Sequence, residues 1–169
     1  MPTEQREISR KALSGEAMRA IPVEEVVSVN PFIVRRRIAF RDCDPAGIVY
    51  TPRFFDPIAT GALDLFFLEA FGFERAMDEG LEHVGTPAKA VEFVFHKPSP
   101  LHALIDIEIH CEKIGTKTFV VAMEARNAES EALFSARLTI ICVNRDGFTS
   151  IPVPELMKQK LGRYMREGL

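Results

Sequence analysis

One short segment of the chain carries residue types suited to acid, base or nucleophilic chemistry. Asp42 and Asp44 are separated by a single residue, Asp44 opens the run Asp-Pro-Ala-Gly, and Thr51-Pro52 follows shortly afterwards. Asp, Pro and Gly are typical of a turn, which is the simplest interpretation of the run. Thr51 as N-cap with Pro52 at the first helical position is typical of a helix start, where unpaired backbone N–H groups and a partial positive charge stabilise a nearby oxyanion. The segment predicts either a plain turn or a carboxylate beside an oxyanion site.

Asp44 is the predicted catalytic group if this segment forms an active site. A carboxylate beside an oxyanion site suffices for acyl transfer, either as the nucleophile or as the general base for water. The sequence does not decide between these two routes. The chain contains no Gly-x-Ser-x-Gly motif that would supply a serine nucleophile. The neighbours of Cys43 predict packing for its thiol rather than attack on a substrate.

The elements on either side must position this segment. A strand is predicted over residues 32–40, and an apolar helix follows the segment and ends near Gly72. Asp56-Pro57 interrupts that helix, because proline has no N–H to donate to the carbonyl of residue 53. Either the helix kinks at this point, or a first turn ends and a second helix begins with Asp56 as its cap. The second alternative would move the strongest helix dipole away from Thr51.

The second half of the chain alternates apolar and polar residues with a period of two, as antiparallel strands covered on one face do. Strands are predicted over residues 89–96, 101–111, 119–125 and 134–142, with a polar helix or loop over 74–83 and an amphipathic helix over 154–165. An apolar helix needs cover on most sides, and five curved strands wrapped around it would supply that cover. The sequence predicts one α+β domain over residues 31–169, after an extension of residues 1–30 that holds one short helix at most.

Bulk composition narrows the classes of function. The 169 residues carry a formal net charge of -3, which gives no general attraction for nucleic acid or anionic membranes. The three cysteines (Cys43, Cys111 and Cys142) match neither a disulfide framework nor a zinc site, and no signal-like or membrane-spanning run is present. The sequence predicts a cytoplasmic protein without metal or cofactor, whose partners include neither nucleic acid nor membrane.

The run Phe-Arg-Asp-Cys-Asp-Pro-Ala-Gly-Ile-Val-Tyr over residues 40–50, followed by Pro52, resembles the signature of the 4-hydroxybenzoyl-CoA thioesterase family. The likeness continues at Val-Gly-Thr-Pro, residues 84–87, and in the strand order, and it covers about residues 32–165. This resemblance implies the hotdog fold, in which a sheet wraps a long central helix and active sites form between two subunits. It implies a homodimer or a dimer of dimers.

The resemblance also implies a reaction and the residues that carry it. The expected reaction is hydrolysis of an acyl-CoA thioester, with aryl-CoA among the candidate substrates, to the free acid and coenzyme A. The family's catalytic aspartate falls on Asp44, and its carbonyl-polarising backbone N–H falls on Thr51. Gly47, Tyr50 and Thr86 are the expected substrate-binding residues, with Gly47 also permitting a tight chain path.

Two alternatives to this function stay open. Arg53 and Pro57 depart from the family pattern, which leaves room for a hotdog protein that binds acyl-CoA or another ligand without hydrolysing it. Hydrolysis of acyl groups on acyl carrier protein is a weaker alternative, because it needs a basic docking surface that the composition does not indicate. Asp42 is expected to have a structural role, capping or bonding the backbone of the loop.

Side chains elsewhere give weaker predictions. Asp56, Thr60 and Asp64 share one helix face, and a polar stripe toward solvent or an interface is favoured over a second active-site carboxylate. The run of three arginines at residues 35–37 alternates in direction on a strand, so it cannot serve a single phosphate site. The four histidines lie on separate segments, at spacings that do not predict a metal site; they are His83, His96, His102 and His110.

Overall fold

The computed structural model describes residues 22–72 and 80–166. The elements in chain order are β1 (Glu24–Val29), β2 (Phe32–Arg37), α1 (Thr51–Arg53), α2 (Thr60–Phe71), β3 (Val84–Gly85), β4 (Ala88–Phe95), β5 (Leu104–Ile114), β6 (Thr118–Asn127), β7 (Ala132–Ile141), β8 (Val143–Asn144) and α3 (Glu155–Gly162). A 3-10 turn at Phe40–Asp42 follows β2, and a π-helical segment at Phe54–Ala59 joins α1 to α2. The part of the predicted polar helix or loop at residues 74–79 lies outside the described residues.

The sheet has the strand order β1-β2-β5-β6-β7-β4, and each neighbouring pair is antiparallel. The predicted alternation holds, since Ile105, Ile107 and Ile109 on β5 are almost fully buried while the residues between them are half-buried. Strands β3 and β8 form a separate two-stranded sheet. The predicted α+β arrangement of a large antiparallel sheet around one helix is confirmed.

The core lies between the inner face of this sheet and α2. Phe66 on α2 is fully buried, and its ring lies 5.3 Å from that of Phe32 on β2 and 5.0 Å from that of Tyr164, both in edge-to-face geometry. Such aromatic pairs add about 0.5–1.5 kcal/mol each beyond the burial of apolar area. Among residues 22–72 and 80–166, the side of α2 that carries Leu68 is left open, since Leu68 is 54% exposed.

The sheet has six strands, so the predicted number of five is wrong. The additional strand is β1, which pairs with β2 at the edge of the sheet and lies inside the segment that the sequence analysis assigned to an extension. Its three valines stay 40–53% exposed. A strand held mainly by backbone hydrogen bonds at an edge buries too little apolar surface to need an alternating pattern. The first 21 residues, with any short helix there, lie outside the described residues.

The helix after the loop is interrupted where Asp56-Pro57 predicts a break. Asp56 has extended backbone angles (φ -128°, ψ 116°), so the first turn ends there and a second helix begins afterwards. The Asp56 carboxylate accepts a hydrogen bond from the Thr60 hydroxyl at 3.3 Å rather than capping a backbone N–H. Of the two alternatives that the sequence left open, the structure shows the second, in which a first turn ends and a second helix begins. The predicted capping of that helix by Asp56 is not observed.

No helix among residues 22–72 and 80–166 is long and apolar enough to cross a membrane.

Candidate active site

The Asp44 loop, residues 43–49, is a short hairpin closed by backbone hydrogen bonds. The Asp44 N–H donates to the Ile48 carbonyl and the Tyr50 N–H donates to the Asp42 carbonyl, both at 2.9 Å. The Gly47 N–H donates back to the Asp44 carbonyl at 2.9 Å, which forms the predicted turn. The loop therefore has one defined path from β2 to the start of α1.

The Asp44 loop is also fixed from outside by the segment that precedes β5. The Val49 N–H donates to the Ser99 carbonyl at 2.9 Å, and the Leu101 N–H donates to the Gly47 carbonyl at 3.0 Å. Ser99 is fully buried. Because the C-terminal half of the loop is bonded at Gly47 and Val49 to the segment around buried Ser99, the path of the loop is set by the fold as well as by local turn preference.

The Asp44 side chain is half-buried, and one of its oxygens is used by the turn. Oδ1 accepts a hydrogen bond from the Ala46 N–H at 2.9 Å. No hydrogen bond of the described residues engages Oδ2. The carboxylate thus shapes the turn with one oxygen and leaves the other without a partner among the described residues, so the turn interpretation and the catalytic interpretation are compatible.

Thr51 supplies an unpaired backbone donor at the start of α1. Tyr50, not Thr51, is the residue that caps this turn, so Thr51 is the first helical residue and the capping part of the prediction is wrong. Pro52 has no N–H, and the Arg53 N–H donates to the Tyr50 carbonyl at 2.7 Å. Within the described residues, no acceptor engages the Thr51 N–H. Because α1 is only three residues long, an oxyanion placed here would be stabilised by this N–H more than by a helix dipole.

The predicted substrate-binding residues fall in two places. Gly47 has a positive φ of 77°, which satisfies the prediction of a tight chain path, and Tyr50 beside it is 54% exposed. Thr86 is exposed and lines a different cavity of about 260 Å³ with Phe71 and Leu81, near the C-terminal end of α2. A single chain therefore brings Gly47 and Tyr50 to Asp44 but places Thr86 in a separate cavity.

Replacing Gly47 by alanine is expected to destabilise the protein by about 1 kcal/mol. A Cβ at this position would meet no atom within 4 Å, so the cost comes from the positive φ and not from a clash. Urea denaturation would measure the change. Gly147→Ala is the matched control, because Gly147 also has open space around it but no positive φ; equal effects of the two substitutions would contradict the explanation.

Cys43 is adjacent to Asp44 but is poorly suited to nucleophilic attack. Burial, together with the negative charges of Asp42 and Asp44, raises the pKa of its thiol. Its Sγ also points toward the Ala39 carbonyl at 3.7 Å. A raised pKa lowers the fraction of reactive thiolate, which agrees with the predicted packing role. Cys111 and Cys142 are fully buried.

An aromatic cluster connects the start of the helix to the exposed edge of the sheet. Phe54, directly after α1, lies 5.0 Å from Phe95 on β4, and Phe55 lies 6.3 Å from Phe93 (centroid distances). Phe95 is 47% exposed and Phe55 is 41% exposed. The helix start that follows the Asp44 loop therefore leads to an apolar surface at the β4 edge.

Arg35 and His110 have their contacts away from the Asp44 loop. Arg35 makes a two-bond ion pair with Asp106 at 2.7 and 2.8 Å, while Arg36 points inward and is buried, so the predicted alternation of the arginines is observed. His110 lines a cavity of about 570 Å³ on the outer face of the sheet. In the described part of the chain, no three His, Cys, Asp or Glu side chains come together as a metal site would need.

A buried ionic cluster behind the loop was missed by the sequence analysis. Arg36 and Asp42 are only 2% and 0% exposed, and their side chains form an ion pair at 3.4 Å. The Asp42 carboxylate also accepts the Ala39 N–H at 2.9 Å, so its predicted structural role is observed. The available signal was Arg36 itself, which occupies an inward position in line with Phe32 and Val34 and therefore requires a buried partner.

Comparisons with known proteins give no match in sequence but clear matches in structure. No protein-family model matches the chain, and no curated protein is detectably similar in sequence. A thioesterase-superfamily structure from Jannaschia sp. CCS1 is 23% identical with a TM-score of 0.72, covering 83% of this chain and 96% of the other. A 1,4-dihydroxy-2-naphthoyl-CoA thioesterase from Synechocystis is 17% identical with a TM-score of 0.67, covering 78% and 95%.

A third similar structure, a hypothetical protein from Staphylococcus aureus in complex with CoA, is 8% identical with a TM-score of 0.70, covering 85% of this chain and 86% of the other. Structural similarity at sequence identities this low establishes the fold and not the activity. The chain has the hotdog fold, as the resemblance implied.

Proposed function

We propose that this protein hydrolyses an acyl-CoA thioester and that Asp44 and the Thr51 N–H carry the reaction. The observation that carries the proposal is the Asp44 loop, which presents one free carboxylate oxygen and leads directly to an unpaired backbone donor. The similar structures named for thioesterases, and the one in complex with CoA, agree with this chemistry. The more specific likeness to 4-hydroxybenzoyl-CoA thioesterases remains part of the proposal.

Asp44 and the Thr51 N–H are sufficient for either of two routes of thioester hydrolysis. In the first, Asp44 takes a proton from water, hydroxide adds to the thioester carbon, and the resulting oxyanion accepts the Thr51 N–H. Collapse breaks the C–S bond and releases CoA thiolate, which takes up a proton, with the free acid. In the second, an Asp44 oxygen adds to the same carbon, CoA thiolate leaves, and water hydrolyses the resulting anhydride.

A panel of aryl-CoA and alkyl-CoA thioesters tests the proposal. We expect release of free CoA, measured with a thiol reagent, from at least one of them at a rate far above that of buffer alone. The competing function is binding of acyl-CoA without hydrolysis, which the departures at Arg53 and Pro57 left open. Measurable binding of several thioesters without release of CoA from any of them would establish that alternative and exclude the enzyme.

The proposal includes a homodimer joined through β4. This strand is the end of the sheet, and seven of its eight residues are exposed, with Val91, Val94 and Phe95 more than 40% exposed. An unpaired edge strand is a ready template for pairing with a second strand, and two-fold association is the commonest symmetry. Pairing of two β4 strands would cover the aromatic cluster beside the Asp44 loop.

Val91→Pro is expected to convert the dimer to a monomer of 19.0 kDa. The His96 N–H at the end of β4 donates to the Leu133 carbonyl of β7. Backbone N–H groups alternate in direction along a strand, and Val91 lies five residues before His96, so its N–H points to the free edge. Proline removes that donor and leaves the hydrogen bonds to β7 in place. Light scattering after size exclusion measures the mass, with Val91→Ala as the control. A proline variant that keeps the dimer mass would exclude pairing through β4.

A further inference from the structure

Arg36 is a charged side chain in the core. Inward positions on β2 alternate, and Phe32, Val34 and Arg36 are each 2% exposed or less. A buried guanidinium must find negative partners, since an unpaired buried charge is strongly destabilising. Its partners are Asp42 on one side, at 3.4 Å, and Glu24 on the other, at 3.2 Å.

Asp42 links this cluster to both ends of the Asp44 loop. Its carboxylate accepts the Ala39 N–H before the loop, and its backbone carbonyl accepts the Tyr50 N–H just before Thr51, both at 2.9 Å. A displacement of Asp42 therefore moves both the segment that enters the Asp44 loop and the start of α1.

Glu24 is the outer member of the cluster and comes from β1, the strand beyond the predicted five. It lies directly opposite Arg36 in the β1–β2 register. Its carboxylate also lies against α2, where a Cβ added at Gly61 would meet the Glu24 oxygen at 2.7 Å. Burial raises the pKa of this carboxyl, although Arg36 opposes the shift. Gly61, an unfavourable residue inside a helix, leaves the space that the carboxylate occupies.

We propose that Glu24 is a positioning residue, which holds the Asp44 loop in its reactive geometry through Arg36 and Asp42. The proposal rests on the proposed function, because it assigns Glu24 to the support of Asp44. Glu24 fixes the direction of the Arg36 guanidinium, and Arg36 fixes the Asp42 carboxylate, which holds the two loop ends. β1 is then part of the catalytic apparatus and not only an additional edge strand.

Two substitutions disturb Glu24 in different ways. Glu24→Gln removes its charge, and Gly61→Ala displaces its carboxylate while the charge remains. Displacement is the expected outcome for the second variant, because the group that meets the new Cβ is the far end of a flexible side chain. Alanine also favours a helix more than glycine does, so Gly61→Ala has no other reason to loosen the loop. Glu25→Gln, at the neighbouring position of β1, is the matched control.

Amide hydrogen exchange provides a readout that does not depend on activity. We expect both variants to accelerate exchange of the Ala39 and Tyr50 amides by about tenfold, because the acceptor of both is Asp42. Amides of the central strand β6 should keep their wild-type rates. Unchanged exchange at Ala39 and Tyr50, or equal acceleration of all amides, would overturn the proposal, since the second result indicates a general loss of stability.

Kinetics gives the second readout. We expect kcat for thioester hydrolysis to fall about 10- to 100-fold in both variants with KM nearly unchanged, because small misplacement of a reactive group affects the chemical step most. Glu25→Gln should retain wild-type values. A rise in KM with unchanged kcat would overturn the proposal. If the wild-type protein hydrolyses no CoA thioester, the proposed function fails and the exchange result alone decides whether Glu24 positions the loop.

Discussion

Asp44→Asn is expected to lower kcat for CoA thioester hydrolysis by about 10²- to 10⁴-fold. An amide is neither a base for water nor a nucleophile, so both routes open to Asp44 are closed. The fold should be retained, since the amide oxygen of the new side chain can still accept the Ala46 N–H that the aspartate accepts at 2.9 Å. Steady-state assays on the best substrate of the CoA panel measure the change.

The control for this variant is Asp146→Asn, which changes an exposed aspartate in the loop after β8. It removes the same charge from the chain without touching the Asp44 loop, and its activity should equal that of the wild type. Activity of Asp44→Asn within a factor of two of the control would exclude Asp44 as the catalytic group.

The second large effect is expected on stability, from Asp42→Ala. Removing this carboxylate leaves the Arg36 guanidinium in the core with Glu24 as its remaining anionic partner, and leaves the Ala39 N–H without its acceptor. Breaking a buried pair in this way costs about 3–5 kcal/mol. Urea denaturation measures the free energy of unfolding, and the variants are compared with the same slope of that free energy against urea concentration.

Asp106→Ala provides the comparison for that prediction. The Arg35–Asp106 pair has shorter contacts, 2.7 Å against 3.4 Å, but its side chains are about 40% exposed. Exposed pairs contribute about 0–1 kcal/mol to stability. Burial, and not contact distance, should therefore decide which of the two substitutions destabilises the protein more. A loss from Asp42→Ala no larger than that from Asp106→Ala would contradict the role given to the buried cluster.

Much of the fold can be predicted from the sequence, because burial imposes a visible pattern. Residues of β5 such as Ile105 and Ile107 alternate with polar neighbours, and one-sided burial requires that alternation. The break at Asp56-Pro57 is equally visible, since a missing N–H is a local property of proline. β1 is not visible, because its exposed valines take part in pairing through the backbone, which side-chain type does not record.

The candidate site also has a part that the sequence predicts and a part that it does not. Asp44 and Gly47 lie in one local loop, so their relation follows from a short run of residues. Glu24 and Arg36 meet only through the pairing of β1 with β2, and no local pattern places Glu24 beside the loop. Thr86 lies in a separate cavity near the end of α2, so a short run of residues does not place it beside Asp44.

The central claim is that Asp44 carries thioester hydrolysis, and a single-turnover reaction in oxygen-18 water tests it most directly. Enzyme in excess over acyl-CoA is mixed and quenched, and mass spectrometry follows CoA, free acid and the peptide that contains Asp44. We predict that the wild type releases CoA and acid, with label in the acid under the general-base route, or in Asp44 under the nucleophilic route when water attacks the Asp44 carbonyl of the anhydride. We predict negligible acid from Asp44→Asn on the same time scale. Labelled acid formed by Asp44→Asn at the wild-type rate would contradict the account.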